Sequence, residues 1–262
     1  MRVIITADDY GMSKSTNNTI QKGIELGVIS STNVMINMPF CDNAKSLPCN
    51  MGIHLNLTAG KPITKNEEIP TLVDSSGNFY SYQVFKKKLQ MGKISHAEIK
   101  KEIYAQIDEY RNRIGEPSYW NTHNHVHMLP SVFKTFVDAT SEKQLFFMRN
   151  NYKCMMGGAK APLIKNILIG CFYRYARYKK MRYPSGIAAY AKSADKLDIN
   201  TYYATEFAET MIVELIFHVA DNVDSEFFGN LKKQRIDEKD FVFGEKFRDY
   251  IDTVEICTFG DI

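Results

Sequence analysis

Cysteine is scarce and poorly placed for cross-linking: five residues, at 41, 49, 154, 171 and 257, odd in number and nowhere in a C-x-x-C pair. That argues against a disulfide framework and for reduced thiols in a cytoplasmic protein. A long apolar run is lacking too. The most apolar stretch, "APLIKNILIGCFYRYARY" at 161–178, is broken by Lys165, Asn166, Arg174 and Arg177. It falls short of the roughly 20 apolar residues that a spanning helix needs, so no membrane partner is expected. The opening "MRVIITADDYG" has no basic segment leading into a long apolar core, and no signal peptide is expected from it. Charge of one sign is missing as well: a formal net charge of +3 gives no case for nucleic acid or an anionic surface as partner. Repeats, low-complexity tracts and a clear linker are absent. What remains, 44% hydrophobic and 24% charged residues in 262, can bury a core as one soluble domain, 1–262.

Strand and helix patterns alternate along that length. "RVIITA" is a short β-branched run ending in two carboxylates, Asp8 and Asp9. "SKSTNNTIQKGIELG" follows as a helix, with Ile20, Ile24 and Leu26 as core contacts and Gly27 as its stop. "VISSTNVMINM" and "MGIHLNLT" are the next strands; in the second, Ile53, Leu55 and Leu57 alternate with His54 and Asn56, giving one oily and one polar face. Residues 60–92 look like a loop-rich insertion. "SHAEIKKEIYAQIDEYRNRIG" is the clearest helix: Ser95 and Glu98 make a capping-box pattern, isoleucines 99, 103, 107 and 114 share a face, and Gly115 ends it. "PSYWNTH", "QLFFMRN", "TMIVELIFHVAD" and "DTVEICTFGDI" are later strands, with "PSVFKTFVDATSEK" a helix among them. A basic helical segment spans about 149–182, including Arg149, Lys153, Lys160, Lys165, Arg174 and Arg177; it is either a solvated face or a lid or subunit contact. The alternation predicts a single α/β domain on a parallel sheet, open or closed into a barrel.

Functional groups in such sheets gather at the C-terminal ends of the strands. Four polar clusters fall near such ends: Asp8-Asp9, His54, the run "NTHNHVHMLP", and His218. The run places three of the chain's six histidines, His123, His125 and His127, at alternate positions. Imidazoles with a carboxylate suit a divalent cation, with positions left open for water and substrate. On an extended strand alternate residues lie about 6.5–7 Å apart, so neighbouring imidazoles could share an ion but the outer pair could not. At least one histidine must then serve a supporting or substrate role. Adjacent Asp8 and Asp9 would point to opposite faces of a strand unless the chain turns between them, and Gly11 makes a turn plausible.

"TADDYGMS", "GIHLNLTAGKPI", "NTHNHVHMLP" and the terminal "ICTFGDI", in this order and with "LVDSSGNFY" between them, resemble the signatures of the YdjC-like carbohydrate deacetylases, which include chito-oligosaccharide deacetylases. The resemblance runs essentially from end to end. It implies a distorted (β/α) barrel of the polysaccharide-deacetylase type and a hydrolase that removes acetyl from an N-acetylated sugar. It implies one divalent metal, Mg2+ or Zn2+ with Mn2+ or Co2+ as alternatives, held by Asp9, His54 and His123. By the same resemblance Asp8 is the general base, His218 the general acid, and His125 and Arg149 line the substrate pocket. The expected partner is a small acetylated saccharide, and the pattern leaves room for a homodimer. Two departures stand out: Asn121-Thr122 where the family has Asp-Ser, and Val219 where a proline follows the late histidine. The rival readings are a metal-dependent phosphoesterase, which would hold two or three metals and carry His-x-His on its first strand, and a sugar-binding homologue that has lost activity.

Overall fold

The computed structural model describes residues 2–151, 154–155, 163–189 and 211–262. β1 (Arg2–Tyr10) is the central strand, buried along nearly its whole length because it has strands on both edges and α-helical cover on its outer face. β2 (Ser31–Val34), β3 (Asn50–Leu55) and β4 (Trp120–Thr122) lie in order on one side, and β7 (Ile212–Phe217), β6 (Gly186–Ala189) and β5 (Cys154–Met155) on the other, every pairing parallel. The two-residue β8 (Glu255–Ile256) pairs with Arg2 and Val3, below the point where β2 joins β1.

The sheet curls on itself. Isolated parallel bridges join Trp120 to Met148 and Phe147 to Arg182. A path of backbone hydrogen bonds therefore runs from β4 through 146–149 to the chain entering β6. The result is a distorted barrel within one α/β domain. The "QLFFMRN" segment, expected as a strand, contributes only these bridges. The "DTVEICTFGDI" strand shrinks to β8.

Around the sheet lie α1 (Lys14–Glu25), α2 (Tyr82–Gln90), α3 (His96–Arg113), α4 (Phe133–Glu142), α5 (Leu163–Tyr178), α6 (Lys232–Val242) and α7 (Glu245–Ile251). Of the contacts expected from α1, Ile20 is buried, but Leu26 is about half exposed because it sits at the C-cap, past the last inward turn. The inward face of α1 near its N-terminus is polar: Ser15 Oγ accepts from the backbone of Asp221 and Asn222 at 2.9 Å each, fixing the loop after β7. Of the basic segment, Lys153 and Lys160 lie outside the described residues, while Lys179 pairs with Asp138. Among the described residues no helix is long and apolar enough to cross a membrane.

α3 begins at Ser95, whose side chain accepts from the backbone of Glu98, but the box closes differently from the expected pattern. Glu98 turns to the backbone and hydroxyl of Thr71, and that hydroxyl accepts from the Ser95 backbone at 2.9 Å. Buried Glu102 accepts from the backbones of Ile63 and Thr64, and Gln106 bonds both backbone groups of Asn56. The polar side of α3 thus clamps residues 56–71, while Ile99, Ile103 and Ile107 face the core. Burial pushes the Glu102 carboxyl up from its ordinary value, against the lowering effect of these donors.

Gly52 in β3 lets the Tyr119 ring lie against the sheet: a Cβ there would stand 2.7 Å from three ring carbons. Tyr119 is itself fixed, fully buried, stacked on Phe259 at 3.7 Å and hydrogen-bonded to Ser31 Oγ at 2.8 Å. Gly52→Ala should therefore overpack this layer and cost about 1–3 kcal/mol. Urea unfolding checks it, and unchanged stability would contradict the packing described.

Candidate active site

β1 delivers Asp8 and Asp9 to the C-terminal end of the sheet, where the chain turns. The turn centres on Asp9 itself, which adopts φ 72°, and Gly11 follows at 100°. The register with β2 slips between Ala7 and Tyr10. Aspartate tolerates the left-handed region better than most residues, so two adjacent carboxylates can serve one site.

Asp9 Oδ1 lies 3.1 Å from His54 Nε2 at the end of β3 and 3.0 Å from His123 Nδ1 just past β4. The three side chains each offer one ligand atom, all within 4.8 Å of one another, and all three residues are buried. Asp9 Oδ2 faces away from the histidines and takes the Nη2 of Arg235, from α6. Burial alone would raise the Asp9 carboxyl, but the Arg235 guanidinium and the two imidazoles hold it well below the ordinary range. Burial, assisted by Arg235 and His54, lowers His123 despite Asp9 beside it. Neutral imidazole with an ionised carboxylate is the protonation state that a metal ligand set requires. The donor set fits a divalent cation.

Asp8 is held on another side of the turn. Arg149 donates Nη1 to its Oδ2 and Nη2 to its Oδ1, both at 2.7 Å, and Asn33 Nδ2 also donates to Oδ1. The same guanidinium reaches Glu214 of β7 at 2.7–3.1 Å. Burial works against the charge on Asp8, but Arg149 outweighs it and keeps the carboxyl far below its usual value. His218 Nε2 is 3.8 Å from Asp8 Oδ2, and its Nδ1 is 3.8 Å from Glu238 on α6. Burial opposes protonation of His218 as well. Glu238 first, then Asp8 and Asp9, more than offset it, so the imidazole sits above its ordinary value.

The histidine run is not a strand. His123–Met128 forms a short 3-10 segment kinked at Asn124 and His125, both with positive φ. Spacing along an extended chain therefore does not govern where the three rings go. His123 joins Asp9. His127 turns inward, bonding Thr122 Oγ1 at 2.6 Å through Nδ1 and Asn151 at 3.1 Å through Nε2, edge-on to Trp120. His125 is exposed, 3.2 Å from Asn151 Nδ2. Arg149, expected to line the substrate pocket, is fully buried and spends its donors on Asp8 and Glu214.

Four partners in this network lie outside the sequence motifs: Asn33, Glu214, Arg235 and Glu238. Glu214 had a legible signal, a lone acid in the apolar "IVELIF", since a buried charge needs a partner. Arg235 and Glu238, three apart on one face of α6, are masked by the charged run "LKKQRIDEKD". Arg235 also stacks over the Phe228 ring, 4.4 Å from its centroid.

The model of the family described as YdjC-like protein matches residues 2–253. The chain belongs to this YdjC-like family. Curated relatives include a carbohydrate deacetylase of Clostridium beijerinckii, 36% identical over 150 residues that cover 55% of this chain and 58% of that one. A chitooligosaccharide deacetylase of Yersinia pestis is 30% identical over 149 residues, covering 55% of this chain and 57% of its own. The YdjC-like chain thus matches little more than half the length of these relatives. Its fold is shared with a solved Enterococcus faecalis V583 protein, provisionally described as a cellobiose-phosphate cleavage protein. That likeness has a TM-score of 0.80 at 21% identity and covers 99% of this chain and 98% of the other.

Proposed function

We propose that this YdjC-like chain is a metal-dependent hydrolase that removes the acetyl group from an N-acetylated sugar or short chito-oligosaccharide-like substrate. The observation that carries the reading is the buried Asp9–His54–His123 ligand set beside a carboxylate, Asp8, and an imidazole, His218, whose proton affinity is raised by Glu238 and the aspartates. The deacetylase names of the relatives support the same chemistry. A divalent cation held by Asp9, His54 and His123 would supply Lewis acidity towards water and the acetyl carbonyl. Mg2+ and Zn2+ fit the donor set, as do Mn2+ and Co2+.

The chain's own residues do the rest. Asp8 is the base, and Oδ2 is the atom that accepts the proton: Oδ1 takes two donors, Asn33 and Arg149, whereas Oδ2 takes only one and keeps a lone pair. Arg149 fixes that carboxylate and keeps it ionised, at a cost in base strength. His218 carries the proton that the departing amine needs, since an amine leaves poorly unless protonated. Exposed His125 is placed to meet the sugar. The described residues contain one cluster of three ligands, which favours this reading over a phosphoesterase with two or three metals.

Acetate release from a panel of N-acetylated mono- and disaccharides tests the reading. Sugar binding without acetate release would identify a binding protein instead.

Glu238 bears directly on the acid. Because His218 is raised above its ordinary value, its proton is present at low pH and lost as pH climbs through the raised value. Glu238→Gln should bring that loss to lower pH, moving the alkaline limb of the kcat profile down. An NMR titration of His218 checks the direction, and an unmoved or upward shift would remove Glu238 from this role.

A further inference from the structure

Asn121, at the middle of β4, is fully buried between the candidate ligand set and the Arg149 ion pair. Its side-chain amide meets two sides that conflict only when His54 carries its proton on Nδ1. On one side stands His54 Nδ1, in hydrogen-bond contact. On the other stand three N–H donors, Arg149 Nη1, Arg149 Nη2 and Asn33 Nδ2, at 3.0, 2.9 and 3.0 Å from the second amide atom.

With Oδ1 towards His54, an Nδ1–H has its acceptor, but the amide NH2 is pressed against three other donors. With the amide turned by 180°, its oxygen accepts from Arg149 and Asn33, and its NH2 donates to His54 Nδ1. That second arrangement requires the His54 proton to sit on Nε2, where it points at Asp9 Oδ1, 3.1 Å away. Each amide position is therefore consistent with one tautomer of one neutral ring. Only the Nδ1–H tautomer leaves the Nε2 lone pair for a cation.

We infer that Asn121 is a two-position amide that couples cation binding at Asp9, His54 and His123 to the tautomer of His54. Without a cation the oxygen serves Arg149 and Asn33, and His54 donates from Nε2 to Asp9. With a cation the amide turns, its oxygen accepts from Nδ1–H, and Nε2 faces the ion. Turning the amide forfeits the bonds to Arg149 and Asn33, so the cation is held more weakly than it would be with a carboxylate at 121, which could accept from both sides at once. Asn121 is thus a positioning residue acting through His54, an inference that rests on the metal-site reading above.

The test uses the full chain, 15N-labelled, stripped with chelator and then given one equivalent of Zn2+. Long-range 1H–15N spectra report the His54 tautomer in each state, and calorimetry gives Zn2+ affinity for the native protein and for Asn121→Asp. The expected result is Nε2–H without Zn2+, Nδ1–H with it, and affinity in Asn121→Asp tighter by roughly 10–100-fold, the size of a supporting-residue effect. The inference is overturned if Zn2+ reaches His54 while its tautomer is the same in both states, or if Asn121→Asp binds Zn2+ no more tightly. Zn2+ that leaves the His54 resonances untouched overturns the metal site and this inference together. Should Asn121→Asp fail to fold, the two native spectra decide alone.

Discussion

His54→Ala and His123→Ala should each strip the divalent cation from the protein and abolish acetate release while the barrel stays folded. Removing a residue that merely supports a metal ligand typically costs 10–100-fold in affinity, and loss of a ligand itself should exceed that. Folding should survive, because the core is built from β1, β2, β3 and β7 side chains such as Val3, Ile5, Val34, Ile53 and Leu215, none of which depends on the two imidazoles. Metal analysis and circular dichroism on the same samples check both halves. Full metal occupancy in either variant would show that its histidine is not a ligand. Asp9 has a further neighbour to lose to: with Oδ2 taken by Arg235, it offers the cation Oδ1, so Asp9→Asn should weaken binding in a way that excess metal partly rescues.

Asp8→Asn should act on turnover instead. The variant should keep its metal and its sugar, since the hydrogen bonds of Asp8 go to Arg149 and Asn33 and none to His54 or His123, yet lose kcat by about 10²–10⁴-fold, the usual worth of general-base assistance. A structural cost accompanies it. Arg149 is fully buried between Asp8 and Glu214, and an amide at position 8 leaves one carboxylate against that guanidinium. Breaking a buried pair by deleting one charge costs about 3–5 kcal/mol; Asn keeps the shape and an oxygen acceptor, so the loss should lie below that range. Turnover and metal content measured side by side separate the roles. If Asp8→Asn loses the metal while Asp9→Asn keeps it, the two aspartates have been exchanged.

The elements that locate this site were legible because they rest on local patterns. A β-branched run ending in Asp-Asp, an alternating strand carrying His54 and an isoleucine stripe on α3 each show in a few consecutive residues. The histidine run misled on geometry: alternate spacing suggested a strand, but positive φ at Asn124 and His125 folds it into a 3-10 turn, and no periodicity announces that. Glu98 matched a capping box, yet Thr71, 27 residues earlier, offers it a better partner. Arg149 shows the same limit. Its basic neighbours suggested a surface, whereas its guanidinium is buried against Asp8, 141 residues away. Charge partners across such distances are created by the barrel, so Arg235 and Glu238 could be recognised only once α6 was seen against β1 and β7.

The most direct test of the account is a metal titration of the chelated protein with acetate release followed at each step. Activity on an N-acetylated disaccharide should be absent without metal, rise with added Zn2+ or Co2+, and level off at about one equivalent per chain, the stoichiometry of one mononuclear catalytic site. Acetate release indifferent to chelation, or activity that climbs until two or three equivalents are bound, would contradict a single catalytic cation at Asp9, His54 and His123.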